Sequence, residues 1–326
     1  MSIGKLNKLK SNSETSSYRE WRAAAFGPCT ARRITNAVKH SNPVNGVFSY
    51  PRCGFLFKKK AMKLSVITIN LNNKGGLEKT IESVVSQTYK SFEYIIIDGN
   101  SSDGSVDVIK QNADRIDHWI SELDTGIYNA MNKGIRQAKG EYCLFLNSGD
   151  GLLHSSILSD LFQLNFVEDI VYGNVIKVSQ SGRCQNVGIG KSEIGLYDLI
   201  VNRINHQASL IKRELFIKFG LYSENYRIVS DWKFFLDTII VGNVSVKYID
   251  MNLSFFDEEG VSSTNRAKAH EETMEILRST ISSRILSDMR ELDRYKRSTV
   301  VQMYDKLLNN KVILKLYNLI FHGRTK

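Results

Sequence analysis

From Leu64 onward the chain alternates short apolar runs with segments whose apolar residues recur every three or four positions. Leu64-Ser65-Val66-Ile67-Thr68-Ile69 predicts a strand, and Leu77, Ile81, Val84 and Val85 then fall at i, i+4, i+7 and i+8, one face of a helix. Tyr94-Ile95-Ile96-Ile97 predicts a buried strand running into Asp98, and Val106 and Ile109 mark a short helix. His118-Trp119-Ile120 is a brief strand ending near Glu122 and Asp124. Ile127, Met131, Ile135 and Ala138 mark the next helix, closed by Gly140, and Tyr142-Cys143-Leu144-Phe145-Leu146 is a strand ending at Asn147 and Asp150. Strand and helix in alternation imply an α/β fold, a mostly parallel central sheet flanked by helices.

After Asp150 the pattern changes. Ile170-Val171-Tyr172 and Val175-Ile176-Lys177-Val178 read as strands around Gly173, and Ala208-Ser209-Leu210-Ile211 as another, followed by a helix through Phe216. A helix opens near Ser230-Asp231 and holds Phe234, Phe235 and Ile239, and Val244–Ile249 is a late strand. Beyond about Asn265 the sequence reads as a C-terminal helical region, 265–326. There, Val312, Ile313, Leu316, Leu319 and Ile320 lie on a wide apolar face against a narrow polar stripe. Such a helix packs on its own core or lies peripherally on the inner face of the cytoplasmic membrane.

The net charge of +10 suggests nucleic acid until it is located. Of 44 bases and 34 acids, 12 bases and 2 acids fall in residues 1–61, so residues 62–326 hold 32 of each sign. The neutral body therefore carries no nucleic-acid signal. All three prolines lie in the basic segment, which reads as a disordered extension with Met62 as an alternative start. A basic arm for anionic lipid or nucleic acid is the functional alternative. Four scattered cysteines show neither metal-ligand spacing nor a disulfide framework, and no apolar run approaches the roughly 18 residues of a membrane span, so the expectation is a cytoplasmic protein.

Three consecutive strands run into Asp98, then Glu122 and Asp124, then Asp150. In a parallel sheet those ends share one edge, with neighbouring strands about 5 Å apart, and ligands of open α/β sheets bind at that edge. Acids gathered there suit the hydroxyls and N–H groups of a sugar nucleotide. Its diphosphate would be repelled unless a divalent cation bridged the two. Neither a G-x-G-x-x-G nor a G-x-x-x-x-G-K-[ST] pattern occurs, which argues against a dinucleotide-binding dehydrogenase and a P-loop enzyme.

These residues resemble a known family. Ser65–Asn72 is similar to the first strand of the family 2 inverting glycosyltransferases, which have the GT-A fold. Asp98-Gly99-Asn100-Ser101-Ser102-Asp103-Gly104-Ser105 resembles their DGSSTDGT stretch. Glu122–Ile135 resembles the ExDxGIYDAMNKGI segment of enzymes that build exopolysaccharide, colanic-acid-like and O-antigen units, and Leu146-Asn147-Ser148-Gly149-Asp150 stands where the DXD-type metal motif belongs. The likeness runs through most of 63–260, within a domain placed at 62–264.

The resemblance implies roles. Asp98 would accept from the nucleotide base, Glu122 and Asp124 would line the nucleotide or sugar pocket, and Asn70, Asn72, Asn132 and Asn147 would belong to the donor site. Asp150 would hold Mg²⁺ or Mn²⁺ against the diphosphate. Tyr226–Phe235 resembles the segment bearing the catalytic acid, so Asp231 would be the base that deprotonates the acceptor hydroxyl. Asn205-His206-Gln207 matches an HQ element of the subgroup and puts His206 near the donor phosphates or the acceptor. Two departures stand out: Asn147 and Gly149 replace acids of the common pattern, and Leu71 stands where Tyr is usual.

Each feature also has a plainer explanation: Asp98-Gly99-Asn100 as a turn, Asp231 and Asp150 as helix caps, Glu122 as a solvated loop acid. Gly260-Val261-Ser262-Ser263 reads as a loop closing on the donor or as an ordinary linker. Together the residues lead to the expectation of an enzyme of the hexosyltransferase type. It would move sugar from a nucleotide-sugar donor to a lipid-linked saccharide acceptor in surface polysaccharide assembly. The alternatives are a nucleotidyltransferase, for which Asn72-Asn73-Lys74-Gly75-Gly76 is the phosphate-loop candidate, and an inactive nucleotide-sugar-binding subunit.

Overall fold

A computed structural model describes residues 64–178, 184–257 and 265–308. The basic segment 1–61, the Gly260 loop and the apolar stripe at 312–321 lie outside the described residues. The first half reads β1 (Leu64–Asn70), α1 (Lys74–Val85), β2 (Phe92–Asp98), α2 (Ser105–Gln111), β3 (His118–Ser121), α3 (Ile127–Gln137) and β4 (Tyr142–Phe145). These four strands are mutually parallel in the order β3-β2-β1-β4.

Continuous apolar runs follow from burial on both faces. Val66, Tyr94, Ile96 and Leu144 point to one face, against Leu77, Ile81 and Val84 of α1. Their neighbours Ile67, Ile95, Ile97 and Phe145 point to the other, against Met131 and Ile135 of α3. Each such side chain contributes about 2 kcal/mol by leaving water, so every strand is held against sliding. Asn73 caps α1, its Oδ1 accepting from Gly76 N at 3.0 Å.

The rest is β5 (Gly151–Leu152), α4 (Ile157–Phe162), β6 (Ile170–Val178), β7 (Cys184–Val187), α5 (Leu196–Val201), β8 (Ser209–Lys212), α6 (Arg213–Lys218), α7 (Ser230–Phe235) and β9 (Val246–Asp257). Here the sheet is mixed. β8 pairs antiparallel with β4 and β6, β9 lies parallel to β6, and β5 and β7 pair antiparallel on β9 and β6. The parallel character read from the sequence thus belongs to the first half. β9 runs on to Asp257, well beyond the predicted Ile249.

Three helices follow, α8 (Arg266–Thr280), α9 (Ser283–Arg297) and α10 (Thr299–Leu308). Ile276, Leu277 and Leu286 share a core with Val229, Trp232 and Leu236, so α8 and α9 pack directly behind α7. No helix among the described residues is long and apolar enough to cross a membrane.

Candidate active site

The carboxyl ends of β1, β2 and β3 are in register, Asn70 opposite Asp98 and Asp98 opposite Ser121. This row forms a closed knot. Asp98 Oδ1 accepts from Asn70 Nδ2 (2.7 Å) and Ser101 Oγ (2.6 Å), and Oδ2 from Ser101 N (2.9 Å) and Ser121 Oγ (2.6 Å). Burial would push the pKa of Asp98 up, but the four donors outweigh it and hold the group below the ordinary carboxylate range. None of the residue's surface is exposed. Its acceptor positions hold the loop at this sheet edge in place.

Asn70 and Asn132 also tie this region together, and Asn70 Oδ1 is buried without a hydrogen-bond partner. Asn70 is buried and spends its amide on Asp98 and Ser101. Asn132 is buried and pins α3 to the 222–224 loop, donating to Tyr222 O (2.8 Å) and Glu224 Oε1 (3.0 Å) and accepting from Tyr222 N (3.0 Å). Asn72 is exposed, yet it too ties loops together, Oδ1 accepting from Ser102 N at 2.8 Å.

Above the knot, Gly99, Leu71 and Asp124 converge. A Cβ on Gly99 would sit 3.1 Å from Asp124 Oδ2 and 3.2 Å from Leu71 Cδ1, a close approach that a larger residue would crowd. Leu71 is 63% exposed there. Lys133 Nζ reaches back from α3 to Asp124 Oδ1 (2.7 Å), Glu122 Oε1 (2.8 Å) and the Leu123 carbonyl (2.9 Å), which fixes the 122–124 loop. Glu122 remains exposed and Asp124 half-buried.

The turn after β4 lies against β1, with Ser148 N donating to Ile69 O at 3.0 Å. Asp150 Oδ2 accepts from Asn147 N (2.9 Å), Thr80 Oγ1 donates to Asp150 O (2.6 Å), and Asn73 Nδ2 donates to Ser148 O (2.9 Å). Gly149 has φ +106°, a conformation a side-chain-bearing residue adopts only with strain. An acid at Gly149 would have to adopt that strained conformation; Asn147 has no such constraint.

The second half brings its groups to this turn. Asp231, in the first turn of α7, accepts at Oδ1 from Tyr128 OH (2.9 Å) and Trp232 N (2.8 Å), and at Oδ2 from His206 Nδ1 (2.8 Å). His206 Nε2 lies 3.3 Å from Asn147 Nδ2. The side chains of His206 and Asp231 are 13% and 16% exposed, so both reach the surface. Burial would raise Asp231, but His206, Tyr128 and the Trp232 amide pull it below the ordinary range. Burial would lower His206, but Asp231, and more weakly Asp150, push it above its ordinary value. A carboxylate has about four acceptor positions. Asp231 uses three, leaving one on Oδ2.

Hydrogen bonds thus run from Asp231 through His206 to Asn147 in the turn that ends at Asp150, and Ser148 of the same turn bonds Ile69, the chain neighbour of Asn70, which bonds Asp98. Tyr128 and Glu224 were assigned no role from the sequence. Tyr128 lies inside the quoted ExDxGIY motif, which was its signal, whereas Glu224 sits in a loop without one.

No group of three or more His, Cys, Asp or Glu able to hold a metal occurs among the described residues. Asn147 Oδ1, however, is buried in the Asp150 turn without a hydrogen-bond partner. One carboxylate and one spare amide oxygen fit Mg²⁺, which takes few protein ligands and completes its shell with phosphate and water.

A family model described as glycosyl transferase family 2 matches residues 65–197. The chain is 31% identical over 217 residues to an uncharacterized glycosyltransferase of Mycobacterium tuberculosis, covering 64% of this chain and 80% of that one. It is 31% identical over 163 residues to the GalNAc(5)-diNAcBac-PP-undecaprenol beta-1,3-glucosyltransferase of Campylobacter jejuni, covering 47% of this chain and 52% of that one. The fold matches S. aureus TarS 1–349 in complex with UDP-GlcNAc at a TM-score of 0.56 and 18% identity, over 78% of each chain.

Proposed function

The chain belongs to glycosyltransferase family 2, and from that premise we propose that it transfers a hexose from a nucleotide sugar to a lipid-linked saccharide with inversion, in surface polysaccharide assembly at the cytoplasmic face of the membrane. The observation that carries the chemistry is the juxtaposition of Asp231 with the Asn147–Asp150 turn through His206. It sets a carboxylate able to take a proton beside a turn able to hold a diphosphate. The lipid-linked acceptor is supported by the Campylobacter relative, whose name specifies an undecaprenol-linked saccharide.

In this reading the nucleotide lies over the knot. Gly99 and Leu71 present an apolar surface to the base, and Asp124 Oδ2 accepts from its N–H groups. Asp150 and Asn147 Oδ1 would hold Mg²⁺ or Mn²⁺, which when bound stabilises the charge on the departing diphosphate. Asp231 Oδ2 takes the proton of the acceptor hydroxyl as that oxygen attacks the anomeric carbon. The bond to the diphosphate breaks on the opposite face, and its electron pair leaves with the phosphate. Tyr128, His206 and the Trp232 amide keep Asp231 ionised and oriented. A positioned base of this kind contributes about 10²–10⁴-fold.

The test is release of nucleoside diphosphate from a panel of UDP-, GDP- and dTDP-sugars, with and without EDTA. Turnover with one donor, abolished by EDTA, is expected. Metal-independent turnover would remove the role given to Asp150, and no turnover with any donor would favour a binding subunit.

A further inference from the structure

Glu272 lies on α8, outside the segment matched by the family model, and is only 3% exposed. Among the described residues it has no ion-pair partner. Its carboxylate instead accepts three consecutive backbone amides: Arg227 N on Oε1 at 3.0 Å, and Ile228 N and Val229 N on Oε2 at 3.0 and 3.3 Å. Burying a carboxylate without a counter-charge is costly, and these three bonds are what offset it.

The amides belong to the three residues that lead into Ser230 and Asp231. Helix α7 receives no side-chain cap from its own N-cap residue, Val229, so its entry is not fixed locally. It is fixed from two sides by distant elements. Glu272 holds the N–H groups of 227–229, and Tyr128 OH, on α3, shares its one proton between the Ile228 carbonyl (2.7 Å) and Asp231 Oδ1 (2.9 Å). Ile276 and Leu277, one helical turn beyond Glu272, pack in one core with Val229 and Trp232. A shift of α8 would therefore move the backbone that carries Asp231.

We infer that Glu272 is a positioning residue for glycosyl transfer, and that α8 belongs to the catalytic apparatus because it sets where the Asp231 carboxylate stands. The inference rests on Asp231 being the base. Displacing a reacting group by about 1 Å can cost about 10²-fold in rate, so a residue acting only through geometry has a measurable effect.

The experiment compares Glu272→Gln with the neighbouring exposed Glu271→Gln. Diphosphate release is measured on the same sugar-nucleotide panel, and donor-site occupancy by thermal shift and binding stoichiometry with UDP, GDP and dTDP. Glu272→Gln is expected to lower kcat per active site at least about tenfold with nucleotide affinity within about twofold, and Glu271→Gln to match the parent. In an Asp231→Asn background, Glu272→Gln should cause no further loss. An unchanged kcat in a folded Glu272→Gln protein would overturn the inference. So would a fall in binding stoichiometry that accounts for all the lost activity, since that is a stability role alone. If Glu272→Gln does not fold, hydrogen exchange on the parent decides. The amides of 227–229 should exchange far more slowly than those of exposed loops, and fast exchange would overturn the clamp. Full activity of Asp231→Asn alone would instead sink the base assignment, leaving the exchange result standing.

Discussion

His206 Nδ1 and Asp231 Oδ2 stand 2.8 Å apart, although 25 residues separate them and each belongs to a different element. The pair closes the space between the turn at Asp150 and the start of α7. Its two members shift in opposite directions, Asp231 downward and His206 upward, as charges that stabilise one another do.

Asp231→Asn keeps the shape and two of the three contacts but cannot take a proton. Nucleotide binding should persist, while diphosphate release should fall by at least about 10²-fold. Thermal shift with UDP, GDP and dTDP and a steady-state assay check the two halves separately.

His206→Gln should destabilise the fold in a pH-dependent way. The stabilisation tied to His206 is complete below its ordinary value of 6.5 and is lost as pH rises through its raised folded value. That tied to Asp231 is present above 3.8 and is lost as pH falls through its lowered folded value. The difference in Tm between parent and variant should therefore be larger at about pH 5.5 than at about pH 8.5. A difference that grows with pH would show the pair is not ionic.

Asp98→Ala should act on stability first. It removes the partner of the Ser101 N–H and of the Ser101 and Ser121 hydroxyls, and one of the two bonds of the Asn70 amide, at a cost of about 3 kcal/mol, read from the urea midpoint. Were Asp98 a direct ligand of the nucleotide base, affinity would fall with little change in the midpoint.

Gly149→Asp restores one of the two acids of the common family pattern but should not strengthen metal binding. At φ +106° an added side chain costs about 1–3 kcal/mol. The turn carrying Asn147 and Asp150 would distort, and a higher concentration of Mg²⁺ should be needed for half-maximal activity.

Much was legible beforehand because it follows from local pattern. The runs at Leu64, Tyr94 and Tyr142 are mostly apolar on both faces and alternate with helical segments, the pattern of a covered parallel sheet. The mixed pairing of β4, β6, β8 and β9 was not legible, because a run such as Ser209–Lys212 reads the same whichever way its neighbour points.

The amino-acid order alone thus determined that acids gather at one sheet edge, since strand ends, turn residues and helix faces are short-range properties. Which partners each acid bonds was decided only by tertiary structure. Asp98 is consumed by Ser101, Asn70 and Ser121, whereas Asp231 keeps an acceptor position because Tyr128, 103 residues away, and His206 take only part of it. Hydrogen-bond partners contributed from such distances leave no periodic trace along the chain, so only folding reveals how a carboxylate is spent.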